Sequence, residues 1–244
     1  MRITSSYKMK LTGDLKALET SINIYRDALR LLIPIINDNW GTLSEYEFAN
    51  QKYNRIEKWI HNTKDHQALY DFDVQFPKFP TYLRRSAVAT ALGIVSSYRS
   101  NLANWEKDPK GQAPQLSLTH YAYPAYYKNN LFRNFDPVQR TVELKVFKNG
   151  DWVFEVYQLK ISDCAYYQTH LTDKKQNVPF IQKKGRRFYA AFSYEEKVEL
   201  VNEESISKIC AVDLGLNTDA TCTIIGQDGT VYARKFISFS KEHD

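Results

Sequence analysis

Cysteine is scarce in this sequence, and its spacing is uninformative. Cys164, Cys210 and Cys222 form no CxxC couple and no disulfide framework. That excludes zinc-finger spacing and a stapled secreted fold, and makes a reducing intracellular compartment the simplest expectation. No apolar run approaches the ~20 residues that span a bilayer, and the N-terminus is polar where a signal peptide would be apolar. A GxxxxGK[ST] loop, a GxGxxG turn after a strand, a GxSxG elbow and an HExxH helix are all missing, which removes the common nucleotide, hydrolase and zinc-protease chemistries. Histidine is sparse too: His61 and His66 are badly spaced for two ligands on one helix face, and both are expected to face solvent. Acid is the minority charge, with 28 Asp and Glu against 33 Lys and Arg and a net charge of +5. This mild excess permits a nucleic-acid partner without requiring one. Aromatic residues are plentiful, at 14% of the chain with 17 tyrosines.

The pattern of apolar residues changes once along the chain. A strand is expected from Arg2 to Leu11, broken at Gly13-Asp14. From there Leu15, Leu18, Ile22, Tyr25, Leu29, Leu32 and Ile36 fall at alternating three- and four-residue steps, one stripe of a helix. Pro34 is expected to end or kink that helix near Ile33. The capping-box pattern Ser44-Glu45-Tyr46-Glu47 announces a second helix with the stripe Ala49, Tyr53, Ile56 and Ile60. Residues 70–80 read as extended, and Thr81 as the cap of a third helix with the stripe Val88, Ala91, Val95, Tyr98, Leu102 and Trp105. Three such helices bury one another as a small bundle. After Asp108-Pro109-Lys110-Gly111 the period falls to two. Residues 142–147 and 152–161 alternate on either side of Lys148-Asn149-Gly150-Asp151, a hairpin signal. A long loop is expected over 172–185 and then a strand over 187–194, and these strands with their tight turns suggest a small barrel or sandwich; further strands are expected over 206–212, 221–225 and 231–237, with a hairpin at Gln227-Asp228-Gly229.

Three groups of residues are candidates for contact with an anionic polymer. Lys174, Lys175, Lys183, Lys184, Arg186 and Arg187 surround an expected hairpin loop with no acid among them, either as phosphate contacts or as ordinary solvated charge. Arg84 and Arg85 open the third helix and Arg99 lies near its far end. Arginine at a helix start opposes the dipole and hints at an anionic partner, although a surface arginine paired with a nearby carboxylate is the commoner explanation. Tyr121, Tyr123, Tyr126 and Tyr127 interleave with Lys128 and Arg133. Such a mixture stacks on unpaired nucleotides or, more often, packs a barrel rim.

The run Ala211-Val212-Asp213-Leu214-Gly215-Leu216-Asn217-Thr218 carries the most specific chemistry. A carboxylate at the end of a buried strand, followed closely by Gly, is how RNase H-like folds present a metal-binding Asp. Three uses of Asp213 stay open. It is one ligand of a divalent-metal pair for phosphodiester cleavage, with Mg²⁺ as the hard cation that oxygen donors favour. It handles Mg·ATP as in actin-like ATPases, although in those the motif opens a two-lobed chain. Or it ends a strand in an Asx turn. Too few residues follow Asp213 to complete an RNase H-like fold, so the chain is expected to be the front part of a longer machine.

Two stretches resemble the TnpB (OrfB) proteins of insertion sequences, RNA-guided DNA nucleases related to compact type V CRISPR effectors and long labelled transposases. One is Phe79-Pro80-Thr81-Tyr82-Leu83-Arg84-Arg85-Ser86-Ala87-Val88, continuing through Ala91-Leu92-Gly93 and Val95 to Tyr98 and Asn104-Trp105-Glu106. The other is Ala211 to Asn217 with Ala220. The resemblance implies an α+β fold: a wedge-type oligonucleotide-binding-like β-barrel with a helical recognition insert, then the first strands of an incomplete RNase H-like (RuvC) domain. It implies the first barrel strand over 1–12, the insert over 13–108, the barrel over 109–204 and the start of the nuclease domain over 205–244. Guide RNA and target DNA are the implied partners, held through Lys183, Lys184, Arg186, Arg187, Arg84, Arg85 and Arg99. Asp213 is implied to be the first of three catalytic carboxylates at a Mg²⁺ site whose second and third members this chain lacks. The implied protein binds nucleic acid but does not cleave DNA alone, and is cytoplasmic in a prokaryote, on the nucleoid when bound to DNA. A nuclease-inactive binding module and an inert truncated remnant are the alternatives.

Overall fold

Gly13 and Asp14 set the first corner of the molecule. The computed structural model describes residues 2–118, 121–199, 206–214 and 220–238. Strand β1 (Arg2–Thr12) ends at Gly13, whose φ of 138° suits only glycine. A Cβ there would also stand 3.1 Å from Cδ1 of Tyr157. The Tyr157 hydroxyl donates to the Asp14 carbonyl at 2.9 Å, and the Asp14 carboxylate accepts from the Ala17 amide at 3.1 Å, which caps helix α1 (Leu15–Asp38).

Leu18, Ile22, Tyr25, Leu29, Leu32 and Ile36 are all buried along α1. Pro34 neither ends nor replaces this helix: α1 continues to Asp38. Pro34 sits on the exposed side, while Ile33, Ile35 and Ile36 beside it are buried. Burying those three side chains is worth about 1.5–3 kcal/mol each, which outweighs the ~3 kcal/mol that an interior proline costs.

The Ser44 pattern does not cap the second long helix. Ser44 closes a short helix α2 (Trp40–Ser44), its hydroxyl donating to the Gly41 carbonyl at 2.6 Å. Helix α3 (Ala49–Ile60) starts after Phe48, whose amide donates to Gln51 Oε1 at 3.2 Å. The segment expected to be extended contains a single helical turn, α4 (Phe72–Gln75), held by the rings of Phe72, Phe76 and Phe79 with centroids 5.0–5.8 Å apart. In α5 (Thr81–Lys107) the cap position is Pro80 and Thr81 is already helical. Val88, Ala91 and Val95 are buried, and the Tyr25 hydroxyl joins α1 to α5 by a 2.8 Å hydrogen bond with Thr90 Oγ1.

After the helices come β2 (Phe132–Asp136), β3 (Thr141–Lys148), β4 (Asp151–Leu159), α6 (Ile161–His170), β5 (Lys175–Gln176), β6 (Phe180–Lys184) and β7 (Arg187–Lys197). Helix α6 starts at the last residue of the expected strand and fills a stretch for which no element was expected. Asp163 in its first turn accepts from the Lys10 amide of β1 at 2.8 Å, and Cys164 is buried, so tertiary anchoring selects the helix. The 172–185 stretch is not a long loop, since it contains β5 and β6.

These strands form a curled antiparallel half-barrel of seven strands in the order β2-β3-β4-β1-β7-β5, with β6 also on β7. β1 thus lies between β4 and β7, with Leu11 opposite Leu159. Val142, Leu144 and Val146 of β3 face inward with Tyr157 and Leu159 of β4. The hairpin β3–β4 turns on Asn149 (φ 53°) and Gly150 (φ 83°), the positive pair of a type I′ turn. Helix α1 lies against β3, where Ser21 Oγ accepts the Phe147 amide at 2.8 Å. Helices and half-barrel share one compact unit, Thr4–Glu196.

The other unit takes in Met1–Ile3 and Lys197–Asp244. Its described strands, β8 (Lys208–Asp213), β9 (Ala220–Gly226) and β10 (Val231–Ile237), make an antiparallel meander in the order β10-β9-β8. Among the described residues no helix is long and apolar enough to cross a membrane.

Candidate nucleic-acid interface

The hairpin β6–β7 pairs Lys184 with Arg187 across a two-residue turn, Gly185-Arg186. Gly185 has φ 58°, and glycine at the first turn position is the type II′ preference. The structure divides the six clustered cations into two groups. Lys174 reaches Glu196 at 2.5 Å, Lys175 reaches Glu195 at 2.9 Å, and Lys183 pairs with Glu19 of α1 while lying over the Phe188 ring. Lys184, Arg186 and Arg187 are exposed at the tip, with no ion-pair partner among the described residues. Pairing leaves the first three with little net field, and the tip keeps its positive charge.

The arginines of α5 separate in the same way. Arg84 faces inward: its side chain is 5% exposed, Nε is 3.2 Å from Glu57 Oε2, and Nη1 is 3.9 Å from Asp73 Oδ1. Arg84 is thus removed from the set of surface contacts and serves as a buried ion-pair partner. The Asp73 carboxylate also takes His61 Nδ1 at 2.8 Å and the Asn62 amide at 3.0 Å. Glu57 accepts from the Tyr53 hydroxyl at 3.0 Å, and burial, then the Glu57 charge, push the Tyr53 phenol well above its ordinary pKa. His66 is exposed but occupied, its Nε2 lying 2.6 Å from the Lys58 carbonyl. Arg85 is exposed and lies over the Tyr82 ring at 4.9 Å. Arg99 is half-buried and donates to the Asn37 carbonyl at 2.8 Å, where a cation suits the C-terminal end of α1.

Most of the tyrosine-rich segment is packing. Tyr126 is fully buried, its hydroxyl donating to the Lys145 carbonyl at 3.0 Å, and burial drives its phenol pKa upward. Tyr127 meets the Tyr82 ring at 5.6 Å. Arg133 pairs with Glu143 at 2.7 Å and covers Phe154. Tyr123 donates to the Lys183 carbonyl at 2.5 Å, with the Arg26 guanidinium 4.9 Å above its ring. Arg26 was not among the expected residues; nothing in the sequence near it signals that a residue of α1 would meet a tyrosine so far along the chain. Tyr121 alone of the group is 83% exposed.

Asp213 ends β8 opposite Thr221. The strand was expected to be buried, yet every residue of β8 is exposed. Asp213 is itself exposed, and its carboxylate has no hydrogen-bond or ion-pair partner among the described residues. Gly215, Leu216, Asn217 and Thr218 of the motif lie outside the described residues. An exposed carboxylate at a strand end is a hard oxygen donor of the kind Mg²⁺ takes. Among the described residues no group of three His, Cys, Asp or Glu stands close enough to hold a metal.

A family model described as the Aq_aa04 family matches residues 3–148, from β1 through the helices to the end of β3. No curated protein matches the chain.

Proposed function

The chain belongs to the Aq_aa04 family, and we propose that it is a guide-RNA-binding portion of a TnpB-like RNA-guided DNA nuclease that does not itself cleave DNA. The observation that carries this reading is the tip of the β6–β7 hairpin. There Lys184, Arg186 and Arg187 are presented together on a two-residue turn without compensating acid among the described residues. Cations that have no internal partner are those able to release counterions from a phosphate backbone. Arg85, exposed on α5, is a further contact of the same kind.

Two features support the finer part of the reading. Strand β1 sits within a curled sheet whose later strands come after all the long helices, the order of a wedge barrel carrying a helical insert. Asp213 closes the first strand of a separate meander, where the resemblance puts the first RuvC carboxylate. With a single exposed carboxylate and no three-residue donor group among the described residues, no cleavage step is assigned to this chain.

The test is RNA affinity against salt. Each phosphate contact contributes about −0.7 to the log–log slope for single strands. Replacing Lys184, Arg186 and Arg187 with Ala should therefore flatten the slope by about 2. An unchanged slope would remove the tip from the interface. Incubated with Mg²⁺, guide RNA and matched DNA, the chain should leave the DNA intact; cut product would overturn the assignment of no cleavage.

A further inference from the structure

A second observation narrows what the hairpin tip holds. The segment from Tyr123 to Tyr126 runs beside β6 in the opposite direction. The Tyr126 amide donates to the Pro179 carbonyl at 2.8 Å, Ala125 bridges Phe180, the Ile181 amide donates to the Pro124 carbonyl at 3.3 Å, and the Tyr123 hydroxyl reaches the Lys183 carbonyl. Each step backward along this segment is a step forward along β6. Continued by two residues, this register puts Tyr121 level with Lys184, at the end of β6 that leads into the turn carrying Arg186 and Arg187.

Tyr121, 83% exposed, makes no ring contact or hydrogen bond among the described residues, whereas its neighbours Tyr123, Tyr126 and Tyr127 all do. Tyr123 fixes the segment: its hydroxyl is tied to β6, and Arg26 of α1 stacks on its ring. The register therefore combines an exposed aromatic ring with three exposed cations that have no ion-pair partner among the described residues. Duplex RNA offers phosphates to cations but hides its base faces within the stack. Unpaired nucleotides offer both.

We propose that Tyr121 and the β6–β7 tip form a binding site for unpaired nucleotides, with Tyr121 stacking on a base while Lys184, Arg186 and Arg187 hold the adjoining phosphates. This rests on the reading of the tip as a nucleic-acid contact and adds the strandedness of its ligand. The site takes a single-stranded segment of RNA or DNA. An acidic protein segment, the competing occupant, would use the cations but gain little from the ring.

The experiment measures the affinity of the full chain for a fluorescently labelled single-stranded oligouridylate and for an RNA duplex of equal length. Tyr121 is exposed, so its replacement leaves folding intact. Tyr121→Leu should weaken single-strand binding by about tenfold, the scale of one base–aromatic stack, and change duplex binding less than twofold. Tyr121→Phe should restore the single-strand value. Equal loss on both ligands, or no loss on the single strand, overturns the inference. If Tyr121→Leu has no effect but the triple Ala variant still flattens the salt slope, only the stacking site fails. If the triple variant has no effect either, the nucleic-acid reading of the tip fails with it.

Discussion

Arg84 Nε lies 3.2 Å from Glu57 Oε2, joining α5 to α3 across residues the solvent barely reaches. Breaking such a pair strands a carboxylate whose desolvation has already been incurred. Arg84→Ala should cost about 3 kcal/mol of stability, measured by urea unfolding. RNA affinity measured well below the lowered midpoint should be unchanged. A mild effect on stability with a large effect on affinity would return Arg84 to the interface.

Lys174 and Lys175 serve as internal controls for the hairpin tip, since both are already paired to Glu196 and Glu195. Lys174→Ala and Lys175→Ala should each shift the log–log salt slope by less than about 0.3, under half of one contact. A shift as large as that of Arg186→Ala would mean these pairs open on binding.

Pro34 is exposed within a helix held by burial on its other side. Pro34→Ala removes the ring clash and the missing donor without touching the core. It should raise stability by about 1–3 kcal/mol, seen as a higher thermal midpoint. A fall would show that α1 needs the bend a proline imposes.

Among the described residues four carboxyls are held below their ordinary pKa: Asp14 by the Ala17 amide and then Lys148, Glu143 by Asn134 and then Arg133, Asp151 by the Trp152 amide and then Lys78, and Asp228 by the Thr230 hydroxyl and then its amide. A depressed folded-state pKa contributes stability above the unfolded value near ~4 and loses it as pH falls through the folded value. Stability should therefore decline below about pH 4. Asp14→Asn keeps a cap but cannot titrate, so it should make that decline shallower. Lys148 is raised by Glu155 and then Asp14, so its contribution is complete below ~10.5 and fades as pH rises through the folded value. An acid-unfolding curve identical for Asp14→Asn and the parent would refute the assignment.

The parts of the fold that were legible in the sequence are those fixed by local chemistry. Helix α1 followed from seven apolar residues on one stripe, and the β3–β4 hairpin from Asn149-Gly150 between alternating runs. The parts that were not legible depend on partners far along the chain. Helix α6 buries only Cys164 and is anchored by Asp163 to Lys10. The burial of Arg84 is decided by Glu57 and Asp73, on elements that no spacing rule connects to it. The basic cluster was visible as six charges, but which of them are neutralised depends on Glu19, Glu195 and Glu196. Exposure of Tyr121 amid packed tyrosines is likewise a tertiary fact.

The central position of β1 has a consequence for biosynthesis. The earliest of these strands to leave the ribosome is the one flanked on both sides by late arrivals, β4 and β7. Helices α1 to α5 are complete before any of the later strands, and Met9 and Leu11 have no sheet to enter until β4, which ends at Leu159, has been translated. A nascent chain stalled before that point would display two vacant strand edges, an invitation to mispair that a trigger-type chaperone would have to mask.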